Sequence, residues 1–204
     1  MSDFAISQRE VLYQGFFRMA RYHLRFKLFD GGWSKTIVRE LMERPSAVGV
    51  LPYDPIADRV VLIEQFRPGA MAHTSKPWIF EVIAGIFSPD EAPDKVVIRE
   101  AAEEAACEIL DLYPICEYFV SPGGSDEYFH LFCGLIDTNF IDGIYGLDDE
   151  GENIRAFSLS MTEAQALLKQ GKIQSSPAII ALQWLQLNHE WLRGLWQKKL
   201  EQQR

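Results

Sequence analysis

The chain has 204 residues, 48% hydrophobic and 24% charged, and its 20 Lys and Arg against 29 Asp and Glu give a formal net charge of −9. This is the composition of a globular protein. Its negative charge disfavours binding along DNA or RNA. No apolar run approaches the ~20 residues of a membrane span. The first residues carry no secretory signal and the three cysteines form no C-x-x-C pair, so we expect a cytoplasmic protein with reduced thiols and neither a nucleic-acid nor a membrane partner.

Residues 11–42 are predicted to form an antiparallel β unit. Apolar and polar side chains alternate over 22–28, which is typical of a strand with one buried face. The Asp-Gly-Gly sequence at 30–32 provides a turn, after which 36–42 can return as a second strand. Such a unit has little core of its own and must pack on the rest of the chain or on a second copy. We therefore expect an N-terminal β lobe over residues 1–45.

The rest of the chain combines apolar strands with helices. The pattern predicts strands over 47–53, 60–66, 78–84, 113–120, 128–136 and 155–159. It predicts helices over 94–110 and 162–170, and a last helix that Ser175 and Ser176 can cap, with Pro177 in its first turn. Helices packed on a sheet are the arrangement that these elements favour. We expect an α+β fold with a mixed sheet, and one domain over residues 46–204.

The predicted helix over 94–110 concentrates carboxylates on one face. At about 100° per residue Glu100, Glu103 and Glu104 fall together, although like charges one turn apart cost ~0.2–0.5 kcal/mol per pair in isolated helices. Hard divalent cations such as Mg²⁺ prefer such oxygen ligands, usually together with a substrate phosphate. Taken alone, a Glu-rich helix face is more often a solvated surface than a metal site. The opposite face, expected to pack on the sheet, carries Ile98, Ala102, Ala105 and Ile109.

The spacing of these glutamates within residues 85–107 is more specific. It runs Gly85, five residues, Glu91, seven residues, Arg99-Glu100, two residues, Glu103-Glu104. This pattern resembles the Nudix box, G-x5-E-x7-R-E-U-x-E-E-x-G-U, in which U is a bulky apolar residue. The apolar positions hold Ala101 and Cys107, and one position departs from the box, because its second glycine is Ala106. Alanine suits a helix better than glycine does, so we expect the departure to affect the turn at the helix end rather than the chemistry.

The resemblance implies the Nudix fold and metal-dependent hydrolysis. The fold is an α/β/α sandwich with a mixed sheet, here preceded by the N-terminal antiparallel β lobe. Mg²⁺ or Mn²⁺ would be held mainly by Glu100 and Glu104, with Glu103 assisting and the carbonyl of Ala84 completing the set. Clustered cations neutralise a pyrophosphate bridge, polarise phosphorus and lower the pKa of an attacking water. The structural residues of the box would be Gly85, Glu91 and an Arg99 that holds the loop through Glu91.

Outside the box the chain resembles the ADP-ribose pyrophosphatase subgroup. Pro122 lies fifteen residues beyond Cys107 in the stretch SPGGSDE, although a Pro-Gly turn between strands would also explain it. The segments YQGFF, VRELMERPSAVGVLPYDP and SSPAIIALQWLQL are similar to that subgroup as well. The resemblance implies a homodimer that exchanges its β lobe and takes a small nucleotide sugar. Substrate contacts would come from Phe16 and Arg39 of the partner subunit, which sandwich the adenine, from Arg67 at the phosphates, from Glu127 at a ribose hydroxyl, and from the Pro122 turn.

The acidic loop GLDDEGENIR, residues 146–155, contains the predicted catalytic base. The helix carboxylates would be occupied by metal, so another group must take the proton of the attacking water. In the resembling enzymes a glutamate on a mobile loop at this place has that role. We assign it first to Glu150 and second to Glu152, since a metal-lowered water pKa lets an ordinary carboxylate act at neutral pH. Without a metal nearby, such a loop would be a solvated turn.

These residues together favour Mg²⁺-dependent hydrolysis of ADP-ribose to AMP and ribose 5-phosphate. Another nucleoside diphosphate sugar, such as GDP-mannose or ADP-glucose, stays open because the base-binding half of the site is poorly specified by sequence. A non-catalytic sensor that binds ADP-ribose is an alternative outside enzymes, but such modules often lose box glutamates and this chain keeps them all. The remaining alternative is an α/β interaction domain whose acidic helix is a solvated face.

Overall fold

The structure, a computed structural model, describes residues 2–88, 90–137, 142–147 and 151–202. The chain divides into two compact units. The first, named the N-terminal unit, comprises Met1–Ser46 and Tyr118–Phe129; the second, named the larger unit, comprises Ala47–Glu117 and His130–Arg204. No helix in the described ranges is long and apolar enough to cross a membrane.

The N-terminal unit is built on a three-stranded antiparallel sheet. Its strands are β1 (Phe4–Gln14), β2 (Arg18–Phe26) and β3 (Ile37–Glu43), in the order β1-β2-β3. The predicted antiparallel pairing is confirmed, with β1 beginning earlier than expected. Gly31 and Gly32, at the predicted turn, have φ values of +96° and +80°, a left-handed region that glycine enters without a steric penalty.

The larger unit contains the remaining helices and strands. Its strands are β4 (Ala47–Asp54), β5 (Arg59–Phe66), β6 (Trp78–Glu81), β7 (Ile83–Ile86), β8 (Asp111–Phe119), β9 (Tyr128–Leu135), β10 (Gly143–Tyr145) and β11 (Ile154–Ser160), the ends of β8 and β9 belonging to the N-terminal unit. Its helices are α1 (Pro93–Ala105), α2 (Met161–Lys169) and α3 (Ser176–Gln202), with a short 3-10 turn at Pro68–Ala70. The sheet order is β10-β11-β5-β4-β9-β8, and β6 pairs with β5 while β7 pairs with β4.

Helices cover both faces of this sheet. Helix α1 packs in one core cluster with Val50 of β4 and Ile63 of β5. Tyr53, which is fully buried and lies three positions after Val50, instead meets the ring of His189 on α3, with 6.0 Å between the ring centroids. Because neighbouring positions of a strand point to opposite faces, α3 lies on the face opposite to α1. The predicted α+β sandwich is therefore confirmed.

The strand predicted over 78–84 and the helix predicted over 94–110 both differ from the sequence-based expectation. The strand predicted over 78–84 is interrupted at the buried Val82, because its two halves pair with different strands. The helix predicted over 94–110 ends at Ala105, and Ala106 has the left-handed values φ 48° and ψ 33°. The Ala106 N–H donates to the carbonyl of Ala102 and the Cys107 N–H to that of Ala101. Alanine thus takes a conformation that glycine adopts at lower cost.

Candidate active site

Helix α1 presents a glutamate to the sheet. Its buried residues are Val96, Val97, Ala101, Glu104 and Ala105. The prediction that Ile98 and Ala102 face the sheet is wrong, because Ile98 is 48% exposed and Ala102 is also exposed. Val97 and Ala101 stand one turn apart on the more continuous apolar stripe, and that stripe determines how the helix packs. The carboxylate of Glu104 consequently lies at the sheet.

Glu104 is the most buried carboxylate of this region. It is 3% exposed, and its Oε2 accepts a hydrogen bond from the backbone N–H of Ala84 on β7 at 3.1 Å. Burial raises its pKa to about 8; the nearby charges of Glu100 and Glu152 raise it as well, while the Ala84 N–H and Arg67 lower it. Three charged side chains therefore act on one almost completely buried carboxylate.

Glu100 lies against the backbone of Gly85. A Cβ atom added at Gly85 would overlap the carboxylate of Glu100, so this glycine is required for close approach rather than for an unusual backbone angle. Burial raises the pKa of Glu100; Arg99 lowers it, and the charges of Glu103 and Glu152 raise it further. The proposed ligand and the first glycine of the box are thus in direct contact.

Arg99 contacts the carboxylates of its own helix. Its Nη2 lies 2.8 Å from Oε1 of Glu100, and its Nη1 donates to Oε2 of Glu103 at 2.9 Å. The expectation was that Arg99 would hold the loop through Glu91. Instead, Glu91 Oε2 accepts from the backbone N–H of Ser88 at 2.9 Å. The spacing explains the difference, because residues at i and i+4 are neighbours on a helix surface and Glu103 follows Arg99 by four positions.

Glu152 interacts with the same two carboxylates. Its charge acts on both Glu104 and Glu100. Its Oε2 accepts from the backbone N–H of Leu147 at 3.2 Å, and its own N–H donates to the Leu147 carbonyl at 3.2 Å. Gly146 has a φ of +105°, and a Cβ there would lie 2.7 Å from the Cβ of Glu152. Glu150, the first choice for the base, lies outside the described residues.

Arg67 is paired with a carboxylate that the sequence analysis did not single out. Its Nε donates to Oε2 of Glu81 on β6 at 2.7 Å, and the Glu81 side chain is 18% exposed. The charge of Arg67 also reaches Glu104, whose pKa it lowers. The sequence did contain a signal for this pair. Glu81 is a charged residue within the apolar stretch 78–84, and such a residue is rarely buried without a partner.

Phe16 and Arg39 belong to the N-terminal unit. The ring of Phe16 is 81% exposed and packs edge-on against Phe17, with 4.8 Å between centroids. Arg39 is exposed, and its Nη1 donates to the carbonyl of the neighbouring Val38 at 2.8 Å. Both side chains are exposed on the N-terminal unit and are therefore accessible to a ligand.

Pro122 and Glu127 also belong to the N-terminal unit. Pro122 is exposed in the turn between β8 and β9. Glu127 is 12% exposed, and its Oε1 lies 3.2 Å from Nη2 of Arg44. Burial raises the pKa of Glu127 and the Arg44 charge lowers it. The predicted contacts thus divide, with Arg67 and the box in the larger unit and the other four in the N-terminal unit.

The donor set at Glu104 fits a hard divalent cation. The charge of Glu152 helps to raise the pKa values of Glu100 and Glu104, which also repel each other, and a cation would relieve that repulsion. With the side chains as they lie, no group of three or more His, Cys, Asp or Glu within the described ranges is positioned to hold a metal ion. In this arrangement Arg99 is paired with both Glu100 and Glu103.

A family match over residues 43–186 decides the identification: this range, more than half of the chain, fits the NUDIX domain. The chain belongs to the Nudix family. The segment 85–107 is therefore a Nudix box, and Ala106 replaces its second glycine.

Individual Nudix proteins extend the comparison to almost the whole chain. The ADP-ribose pyrophosphatase of Escherichia coli strain K12 is 40% identical over 195 residues, which cover 96% of this chain and 93% of that protein. The GDP-mannose pyrophosphatase of Yersinia enterocolitica is 31% identical over 183 residues, which cover 88% of this chain and 93% of that protein. A crystal structure of an ADP compounds hydrolase shares the fold, with a TM-score of 0.69 and 19% identity over 96% of this chain and 97% of that one.

Proposed function

We propose that this Nudix protein hydrolyses ADP-ribose to AMP and ribose 5-phosphate with Mg²⁺ or Mn²⁺. The observation that carries the proposal is the buried Glu104 carboxylate, within reach of the charges of Glu100 and Glu152. A helix with only a structural role gains nothing from burying one carboxylate beside two others, because each loses hydration. The 40% identity with the ADP-ribose pyrophosphatase of Escherichia coli supports the choice of substrate.

The proposed metal ligands are Glu100 and Glu104, with Glu103 assisting and the carbonyl of Ala84 completing the set. The bound cation would neutralise the pyrophosphate and lower the pKa of the attacking water. The Ala84 N–H on β7 already fixes one oxygen of Glu104. Gly85 supports the set by giving Glu100 room against the strand.

The proposed reaction is a single displacement at phosphorus. The oxygen of a water molecule attacks one phosphorus of the bridge, the bond from that phosphorus to the bridging oxygen breaks, and this oxygen leaves with the other phosphate. A loop glutamate takes the proton of the water. Glu150 is our first choice and Glu152 our second, and the charge of Glu152 on Glu104 supports a place for Glu152 near the reacting atoms.

The proposed substrate contacts combine one residue of the larger unit with four of the N-terminal unit. Arg67, held by Glu81, would bind the phosphates. The other proposed contacts are Phe16 and Arg39 on the adenine, Glu127 on a ribose hydroxyl, and the Pro122 turn. The 81% exposure of the Phe16 ring supports its availability for stacking on a base.

We propose that the protein is a homodimer in which Phe16 and Arg39 act in the site of the partner subunit. Support comes from β1, an eleven-residue edge strand. Its apolar side chains Phe4, Ile6, Val11 and Tyr13 are 45–64% exposed. Long edge strands with exposed apolar residues pair readily with another chain.

The proposed domain boundaries are residues 1–45 for the N-terminal β lobe and 46–204 for the Nudix domain. The family match, which begins at residue 43, supports this division. The proposed location is the cytoplasm. Cys107, Cys116 and Cys133 are free thiols, as is usual in a reducing compartment.

The decisive experiment is a substrate panel of ADP-ribose, GDP-mannose, ADP-glucose and NAD with Mg²⁺, in which every product is identified. Preferred cleavage of ADP-ribose to AMP and ribose 5-phosphate is expected. Preference for GDP-mannose would instead favour the activity named for the Yersinia relative. Tight ADP-ribose binding without any product would favour a sensor.

A further inference from the structure

Gln65 is a buried polar residue on the strand that leads to Arg67. It lies near the end of β5 and is 8% exposed. Val61 and Ile63, at the preceding alternate positions, pack in the core cluster of helix α1. Because alternate positions of a strand share a face, the Gln65 side chain also lies on the α1 side of the sheet. A polar side chain thus continues an apolar row.

Arg67 and Glu81 are polar neighbours of Gln65 on this face. The pairing of β5 with β6 sets Glu81 opposite Ile63, two positions before Gln65, and paired residues share a face of the sheet. Arg67 donates to Glu81 at 2.7 Å and therefore lies on that face as well. Two positions along a strand are about 6.6 Å apart. Gln65 consequently stands between the core and the proposed phosphate contact.

The side-chain amide of Gln65 is not used within the fold. Residues 2–88, 90–137, 142–147 and 151–202 provide no hydrogen-bond partner for it, whereas Arg67 and Glu81 are paired with each other. A glutamine amide has two N–H donors and an acceptor oxygen. Burying these groups without a partner costs free energy.

A bland explanation is that Gln65 only fills space on the sheet. Valine and isoleucine fill the two preceding positions of the same row, and another apolar side chain would do so at position 65 without leaving a buried amide unpaired. The next residue of the row is Arg67, whose charge reaches the buried Glu104. An amide kept at this place is better explained by a ligand that it binds.

We propose that Gln65 is a further substrate-binding residue, whose side-chain N–H donates to a pyrophosphate oxygen beside Arg67. The inference rests on the proposed function, because it takes Arg67 as a phosphate contact. A neutral donor suits this position: it can bind an anion but, unlike a second cation, it does not form an ion pair with Glu104. Gln65 binds the substrate and takes no part in the transfer of the proton.

The test compares Gln65→Met with the wild type as full-length proteins, in kcat and KM on ADP-ribose and in thermal unfolding. Methionine is of similar size and has no N–H donor. KM is expected to rise about tenfold, as for the loss of one hydrogen bond to a charged group, and kcat to change less than about threefold. The thermal midpoint is expected to equal or exceed that of the wild type, because an unpaired buried amide is removed. A role in the fold alone would lower it.

Two comparisons separate a direct contact from an effect through Arg67. In an Arg67→Met background, Gln65→Met is expected to raise KM again by a similar factor, because two independent contacts are lost. Gln65→Glu keeps the length of the side chain but replaces the donor by an anion. It is expected to raise KM more than Gln65→Met does, and it decides the case if Gln65→Met does not fold.

The matched control is Gln186→Met, the same change at an exposed glutamine of α3. Its KM is expected to stay at the wild-type value, as is usual for surface changes.

The opposite results are clear. A wild-type KM in Gln65→Met and Gln65→Glu would overturn the contact, and so would a loss that disappears in the Arg67→Met background. Wild-type protein that cleaves only another nucleoside diphosphate sugar would overturn the proposed substrate but not this inference, since the pyrophosphate is shared and the same comparison on that sugar then decides the contact. Wild-type protein that cleaves none of these substrates would overturn the proposed function, and with it this inference.

Discussion

The carboxylate of Glu104 accepts a hydrogen bond from the backbone N–H of Ala84, with 3.1 Å between Oε2 and N. This bond connects α1 to β7 at a position where the carboxylate is almost completely buried. The contact that helps to seat the helix therefore also orients the proposed metal ligand. An amide oxygen could keep the bond but not the charge, so the two roles can be separated by experiment.

We expect Glu104→Gln to lower kcat on ADP-ribose by about 10²–10³-fold, because the variant loses an anionic ligand. Its thermal midpoint is expected to equal or exceed that of the wild type, since the glutamine amide removes repulsion from Glu100 and Glu152. Steady-state kinetics over a Mg²⁺ titration and thermal unfolding measure both effects.

The matched control is Glu108→Gln, at an exposed glutamate just beyond the box. Its kcat is expected to stay within about twofold of the wild type, as is usual for surface changes. Wild-type turnover in a folded Glu104→Gln variant would remove Glu104 from the mechanism.

We expect Ala106→Gly to stabilise the protein by about 1 kcal/mol, because Ala106 has a φ of 48° and glycine enters that region without a Cβ penalty. Urea unfolding measures the difference. Ala102→Gly is the control: this position is exposed within α1, so the same change should destabilise by about 1 kcal/mol. Equal losses in both variants would show that the left-handed conformation at 106 imposes no strain.

Most of the fold could be predicted because hydrophobic periodicity is a local property of the sequence. The turn at 30–32 and the strands around the 54–58 turn are examples, since glycine or Asp-Pro interrupts alternating or apolar runs there. The break at Val82 could not be predicted, because it arises from a change of pairing partner. The exposure of Ile98 was mispredicted because two apolar stripes compete on α1, and the stripe with Val97 and Ala101 is the one that is buried.

The candidate site also combines features that the sequence could predict with features that it could not. The closeness of Glu100 and Glu104 follows from helix spacing and was visible in sequence. The pairing of Arg67 with Glu81 was not, because it depends on the register of β5 and β6. The contact of Arg99 with Glu103 follows from their spacing of four positions, whereas the family resemblance implied a contact through Glu91.

We expect Glu81→Gln to raise the KM for ADP-ribose by about three- to tenfold, since it removes the charged partner that holds Arg67 at 2.7 Å. Arg67→Met is expected to raise KM further, because the proposed phosphate contact itself is lost. Steady-state kinetics on ADP-ribose distinguishes the two. Lys76→Met, on an exposed lysine of the loop after β5, is the control for loss of positive charge. A Glu81→Gln variant with the wild-type KM would show that Arg67 keeps its orientation unaided.

We expect the stability contributed by Glu43 to disappear in acid. Arg9, Tyr22 and Arg18 donate to its buried carboxylate and lower its pKa from 4.5 to about 2. Because the folded-state pKa lies below the unfolded value, the contribution is complete above pH 4.5 and is lost as the pH falls towards 2. Glu43→Gln should therefore destabilise the protein by roughly 1–2 kcal/mol at pH 7 and by much less at pH 3. The figure at pH 7 is reduced by water around the two partly exposed arginines.

Urea unfolding at pH 7, 5 and 3 measures this difference. The control is Glu40→Gln, whose ion pair is exposed and which is expected to change stability by less than about 0.5 kcal/mol. A gap between Glu43→Gln and wild type that is the same at all three pH values would show that the pKa of Glu43 is not lowered by folding.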